Sequence, residues 1–305
     1  MFPSFRRAFA TFASVLALQH AFPADPSPSP EVSSNLFLGN PSQAGTAEKN
    51  NYLLEKKQFA LSYNNEKGEP NWVSWRLIKE DLGEAPRKGK FSEDTTLPEG
   101  FNVITTKDYQ DCGFDRGHIC PHGDRASTKA DSYATFVMTN IVPQSAQLNR
   151  NAWNQEEIYL RSLASGGNRL YIVAGPIGAG GTGAKGPATS LAGGKVVVPA
   201  ACWKIAVITP DKGTDDLKNI TADSRVLSII MPNDTSLGDE WAQYRTSVAE
   251  IEKQTGLHFF TALPKEVADA LKQKVDAEPL PPPTPPEWQT RDKKDPAKPA
   301  APDSE

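Results

Sequence analysis

Asp115, Arg116 and His118 stand in the run Asp115-Arg116-Gly117-His118, an acid, a cation and a base grouped around a flexible glycine. An imidazole accepts a proton near neutral pH, a guanidinium pairs bidentately with phosphate oxygens, and a glycine lets a ligand approach the backbone closely. That inventory suits hydrolysis of a phosphodiester. A second set follows downstream, where Asn149, Trp153, Glu157 and Arg161 recur at every fourth position. On an α-helix that spacing drifts by about 40° per step, so the four side chains form one slowly turning stripe. The stripe offers a neutral oxygen, an aromatic surface, a carboxylate and a cation. It also fits a plain surface helix with a Glu157–Arg161 pair and a half-buried tryptophan.

The neighbourhood of His118 contains a rival. Cys112, His118, Cys120 and His122 can be written as four zinc ligands, although they lack the usual paired knuckles and a zinc on His118 would remove the base. The three cysteines, Cys112, Cys120 and Cys202, permit one intramolecular disulfide at most. A local Cys112–Cys120 bridge or two buried thiols are the readings there, and Cys202 reads as core. His122 reads as solvent-facing and His258 as packed.

The elements that must position these groups show as strand-like runs between long loops. Phe59–Tyr63 and Trp72–Leu77 alternate with a period of two around the turn-forming Asn64-Asn65-Glu66-Lys67-Gly68, and predict a hairpin. Phe136–Val142, Arg169–Ala174, Lys195–Val198, Trp203–Ile208 and Arg225–Met231 are further apolar, β-branched runs for a central sheet. Helices are predicted over Asn149–Ser165, opening on an Asn cap, and over Asp239–Thr255, ending at Gly256. The expected class is α+β.

At 305 residues, 38% hydrophobic and 23% charged, the chain can bury a sizeable core. Its net charge of −4 excludes a protein that coats itself in nucleic acid through global electrostatics, so any such site must be local. Arg6 and Arg7 precede the apolar run Ala8–Leu18, and no acid occurs before Asp25. Residues 1–24 therefore read as a signal or targeting peptide. A secreted or periplasmic location is the first reading and a mitochondrial one the alternative. The run is short for a membrane span, so no stable membrane association is expected once the leader is removed. Residues 25–33 read as a Pro/Ser spacer, 34–275 as one folded domain and 276–305 as a disordered, Pro-rich, charged tail.

In order along the chain, PNWVSWRL, the DRGH box with its following GDR, TNIVPQSAQLNRNAWNQEE, YIVAGP, VPAACWK, MPND and TGLHFFTALP resemble the DNA/RNA non-specific endonucleases of the ββα-metal class. That family includes secreted bacterial nucleases and mitochondrial endonuclease G. The resemblance implies a central antiparallel sheet with flanking helices and long loops, and a ββα-metal finger at the active site. It implies His118 as general base and Asn149 as the sole direct protein ligand of Mg²⁺, with Mn²⁺ able to substitute. Glu157 would hold metal-bound waters, and Arg116 and Arg161 would neutralise the phosphorane. Asn140 would lie close to this centre, and Asp115 would support it. The family's upstream arginine falls here on Gly89, which leaves Arg87 or a neighbouring lysine to contact substrate, and Trp153 on the stripe is assigned to substrate as well. The implied partners are DNA and RNA, held by their backbones without regard to sequence, and a homodimer is left open. A nucleic-acid-binding relative of little catalytic power is the alternative of another class.

Overall fold

Period-two alternation builds the centre of the molecule, and the computed structural model describes it through residues 34–280, together with Met1. Nearly all of the leader and spacer, and the tail beyond residue 280, lie outside the described residues. In chain order the strands and α-helices are β1 (Tyr52–Glu55), β2 (Ala60–Asn64), β3 (Glu69–Leu77), β4 (Asp115–His118), α1 (Lys129–Ala134), β5 (Ile141–Gln144), α2 (Trp153–Ser165) and β6 (Asn168–Ile177). The short strands β7 (Gly181–Gly183), β8 (Gly186–Ala188), β9 (Ser190–Leu191) and β10 (Val196–Val197) follow, then β11 (Ala201–Pro210), β12 (Arg225–Pro232), α3 (Val248–Thr255) and α4 (Lys265–Lys272). Six strands form one sheet in the order β1-β2-β3-β6-β11-β12, antiparallel at every pairing. The class is α+β, and β2 and β3 are the predicted hairpin.

Both faces of the sheet are covered, which is why its middle strands read as almost unbroken apolar runs. On one face Val73, Trp75, Ala174 and Ala206 pack beneath Trp153, Leu160 and Ala164 of α2 and beneath Val142 of β5. On the other, Trp72, Val173, Trp203 and Ile205 pack beneath Val248 and Ile251 of α3, Leu271 of α4 and the intervening Phe259. Each large side chain so buried contributes about 1.5–3 kcal/mol. The pair β4 and β5 stands apart from this sheet, with Asp115 opposite Gln144 and His118 opposite Ile141.

Several predicted boundaries are corrected. The run Phe136–Val142 becomes a strand only at Ile141, because Met138–Asn140 is a 3-10 turn whose polar groups bond inward, Thr139 Oγ1 donating to Asp94 at 2.6 Å. Lys195–Val198 contributes only the two residues of β10. Asp239–Thr255 divides into a 3-10 turn, Trp241–Tyr244, and α3, which starts where the Ser247 hydroxyl accepts from Glu250 N. Its end at Gly256, with φ at 71°, is where the sequence puts it. Asn149 is not a cap: Ser145 Oγ accepts from Leu148 N at 3.1 Å, and Asn149 lies inside a π turn, Leu148–Ala152, that runs into α2.

Candidate active site

Three elements meet at one cleft: β4, the turn His122–Arg125 that follows it, and the π turn with α2. Asn233, in the MPND segment, ties them to the sheet. Its amide accepts from Ser145 N at 2.7 Å and donates to the carbonyls of Pro143 and Pro199, both at 2.9 Å. The cleft is lined by Arg87, His118, His122, Asn149, Arg150, Asn154, Glu157 and Arg161, with Pro121 and Gly123.

His118 is 7% exposed, with its ring 4.7 Å from Phe136, edge on, and 5.3 Å from Phe91. Its Nε2 is buried without a hydrogen-bond partner. Burial first, then the positive charge of Arg87 and of His122, pushes its pKa down to about 3, so the imidazole stands neutral. Arg116 is exposed on the same side of β4 and lays its guanidinium over the Phe91 ring at 4.7 Å. Gly117 is required by the protein's own packing, since a Cβ there would lie 2.0 Å from Gln144 Oε1.

Asp115 joins the two halves of the site. Its carboxylate takes a bidentate pair from Arg150 at 2.7 and 2.8 Å, and a further bond from Asn149 Nδ2 at 2.9 Å. Burial pushes its pKa up, but the bonds from Arg150 and Asn149 outweigh this and hold it below the usual carboxylate range. With its nitrogen committed to Asp115, Asn149 has its amide oxygen left for a cation. Eight residues on, Glu157 is 9% exposed and has cations on two sides, Arg161 at 3.7 Å and Lys204 at 4.0 Å. Burial dominates over both cations and pushes its pKa up to about 7.

Arg161 is clamped by Asp124, which accepts from it at 3.0 Å and, through its other oxygen, from Trp75 Nε1 of β3 at 2.9 Å. Gly123 leaves room for this clamp, because a Cβ there would sit 3.1 Å from the guanidinium. Burial works against the charge on Arg161, but Asp124 and Glu157 more than restore it. Beneath the cleft Lys204 of β11 pairs with Glu156 at 2.5 Å and lies 4.0 Å above the Trp153 ring.

His118, Asn149, Glu157, Arg161 and Arg87 thus come together. Trp153 does not: it is 1% exposed in the core, and with the π turn changing the helical phase Asn154 lines the cleft instead. Asn140 lies next to the strand that carries His118. It is fully buried behind β4, accepting from Cys120 N at 2.9 Å and donating to the carbonyls of Cys120 and Thr135, so it positions the chain after His118 without facing the cleft. His122 lines the cleft, whereas the sequence turns it to solvent, and His258 is exposed where the sequence packs it. All three cysteines are free, Cys112 half-buried and Cys120 and Cys202 buried. Among the described residues no three His, Cys, Asp or Glu side chains converge as metal ligands, which overturns the zinc reading of Cys112, His118, Cys120 and His122. At Gly89 a Cβ would lie 2.3 Å from Phe136, so that slot admits no side chain and Arg87 reaches the cleft from two residues earlier. Sequence reasoning missed Asp124, Arg150, Asn154 and Lys204; of these only Lys204 carries a local signal, a lysine inside an apolar strand.

The sequence profile that describes DNA/RNA non-specific endonucleases matches residues 41–266. A nuclease of Nostoc sp. is 44% identical over 250 residues, covering 81% of this chain and 88% of that one. A nuclease of Serratia marcescens is 28% identical over 252 residues, 80% of this chain and 86% of its own. The mitochondrial nuclease EXOG of Danio rerio is 33% identical over 213 residues, 68% of this chain but 60% of the relative. A solved structure described as the EndoG/EndoGI complex, on the mechanism of EndoG inhibition, superposes with a TM-score of 0.63 at 22% identity, over 79% of this chain and 96% of that one.

Proposed function

This chain belongs to the DNA/RNA non-specific endonuclease family, metal-dependent enzymes that hydrolyse nucleic acids, and from that premise we propose that it cleaves DNA and RNA with Mg²⁺, using His118 as general base and Asn149 as the cation's protein ligand, and leaves 5′-phosphate ends. The observation that carries this reading is the Asp115–Asn149 bond at 2.9 Å, which leaves an amide oxygen free at the cleft that the neutral His118 imidazole also lines.

The residues present fit such a cation. Mg²⁺ dehydrates reluctantly and takes few protein oxygens, so one neutral amide suffices where water fills the remaining positions, and Mn²⁺ suits the same oxygen donors. Glu157, whose cations stand beyond hydrogen-bond range, has carboxylate oxygens available for such waters. When bound, the divalent cation supplies Lewis-acid stabilisation of the departing 3′ oxygen.

His118 removes the proton of the attacking water from its position between Phe91 and Phe136. A basicity depressed by burial and Arg87 recovers when an anionic phosphate enters beside the ring. Arg161, oriented by Asp124, and Arg87 and Arg116 neutralise the charge that builds on the equatorial oxygens. Asp115 and Asn140 hold the two strands of residues that carry these groups. Contacts of this kind engage backbone rather than bases, so binding is nearly sequence-independent and weakens with salt. The export reading of the leader, with mitochondria as its alternative, and a homodimeric assembly belong to the same proposal.

The test is cleavage of supercoiled plasmid and of RNA with and without Mg²⁺, with Asn149→Ala run in parallel. Cleavage abolished by EDTA and lowered at least about a hundredfold by the substitution is expected. Undiminished cleavage in either case overturns the assignment, and binding without cleavage by the unaltered protein favours the catalytically weak alternative.

A further inference from the structure

Lys204 lies within the run of eight buried residues of β11, 1% exposed, where an aliphatic residue would pack without any charge to satisfy. Its ammonium is divided. It pairs with Glu156 at 2.5 Å, stands 4.0 Å from Glu157 Oε1, and rests 4.0 Å above the Trp153 ring. Two successive carboxylates of α2 therefore meet one cation, Glu156 fully buried and Glu157 at the edge of the cleft.

The groups facing Glu157 come from every element packed against it. Lys204 reaches it from β11, Arg161 and Glu156 belong to α2 itself, and Asp124 comes from the turn His122–Arg125. Asp124, Glu156 and Glu157 stand against Lys204 and Arg161. Of the three carboxylates only Glu157 lines the cleft, among Arg87, Arg150 and Arg161, so its charge is the acidic contribution made there. A buried ion pair adds little to stability relative to an apolar pair of the same shape.

We propose that Lys204 is a positioning residue for the cleft: hydrogen-bonded to Glu156 and standing 4.0 Å from Glu157, it acts on the Glu157 carboxylate through space and sets how much negative charge that group offers a hydrated divalent cation. The proposal rests on the nuclease reading for its catalytic consequence, but its binding consequence is separable. Glu156 then acts as a competitor for Lys204, and changes at the two residues must act on Glu157 in opposite directions.

Lys204→Met alone would strand Glu156 in the core, so the variants are Glu156→Gln and the pair Glu156→Gln with Lys204→Met, made in the full chain. Two quantities are read, the pH profile of kcat for plasmid cleavage and the binding of Mn²⁺ to DNA-free protein, followed by the electron paramagnetic resonance of free Mn²⁺. In the paired variant Glu157 loses its lysine. The acidic limb of kcat moves up by about one pH unit, and Mn²⁺ binding at about pH 6 weakens roughly tenfold and recovers by about pH 8. In Glu156→Gln the lysine is released to Glu157, and both quantities move the other way. Unchanged profiles and affinities, or shifts in the same direction for both variants, overturn the proposal. If the unaltered protein cleaves nothing, the nuclease reading fails, while the Mn²⁺ titrations still decide the role of Lys204.

Discussion

Trp203 and Lys204 are consecutive residues of β11, and they serve opposite faces of the same sheet. Trp203 is fully buried, its ring 5.1 Å from Phe259, and its indole N–H donates to the Pro176 carbonyl at 3.2 Å. The cluster around it is largely apolar, drawn from the same face of β3, β6 and β11 and from α3, α4 and the chain near them. Lys204, one residue on, faces Glu156, Glu157 and through them Arg161 and Asp124. The first face stabilises by removing hydrocarbon from water. The second buries hydrocarbon as well, but around Lys204 it also holds charges whose desolvation stabilises nothing by itself and which are kept in place by one another. The charged cluster lies on one side of the strand only, so the apolar face of Trp203 should separate from the chemistry experimentally.

The largest separation is between His118→Ala and Trp203→Ala. The first should lower kcat/KM for plasmid cleavage by about 10²–10⁴-fold with a comparatively small change in melting. The second should cost about 3–5 kcal/mol in urea unfolding while kcat per folded molecule stays at its original value. A Trp203→Ala protein as inactive as His118→Ala when fully folded would join the two faces and break the comparison.

Glu157→Gln sharpens it. The folded pKa of Glu157, about 7, lies above its ordinary value of 4.5. A raised carboxyl value means stability that is full below the unfolded pKa and is lost as pH rises through about 7. The Gln variant, which has no charge to bury, should therefore match the parent below about pH 4.5 and exceed it at about pH 8 by on the order of 1 kcal/mol, even as its activity falls. Equal melting curves across that window would show that Glu157 carries no strain for its position.

The smallest effect concerns His122, whose pKa burial, then Arg87 and Arg161, push down to about 4. A depressed imidazole stabilises above its unfolded value of about 6.5, and that stability is lost as pH falls toward about 4. Because the ring is only half-buried, the contribution should be under about 1 kcal/mol. His122→Leu should flatten the acid side of the melting profile, and an unaltered slope would assign that slope to other groups.

Much of this was legible in local pattern. The β2–β3 hairpin, the long strands β6, β11 and β12, and the close of α3 at Gly256 follow from alternation and from turn chemistry that acts within a few residues. Trp153 is the instructive failure. A constant period of four puts it on the cleft, but the π turn Leu148–Ala152 changes the phase just before α2, and a widened turn leaves no mark in residue types. Asp124 is invisible for another reason. Its role exists only because Trp75, from β3, and Arg161, from α2, converge on its two oxygens across 49 and 37 residues of chain. Asn140 shows the converse, a residue near the centre in sequence pattern whose amide is spent on Cys120 and Thr135.

The bond from Asn149 to Asp115 has a bearing on which side chain position 149 can accept. A carboxamide has two unlike ends, and here the acid across the gap claims the NH₂ end, so the group can be seated one way round only. Aspartate has the same shape and is the commoner partner for a hard cation, but both its ends are acceptors. Placed here it would turn like charge toward Asp115 and compete with Arg150 for the same neighbour. The junction of β4 and the π turn thereby works as a keyed socket: it disfavours a carboxylate at position 149 and seats the dipolar carboxamide with its oxygen turned away from Asp115.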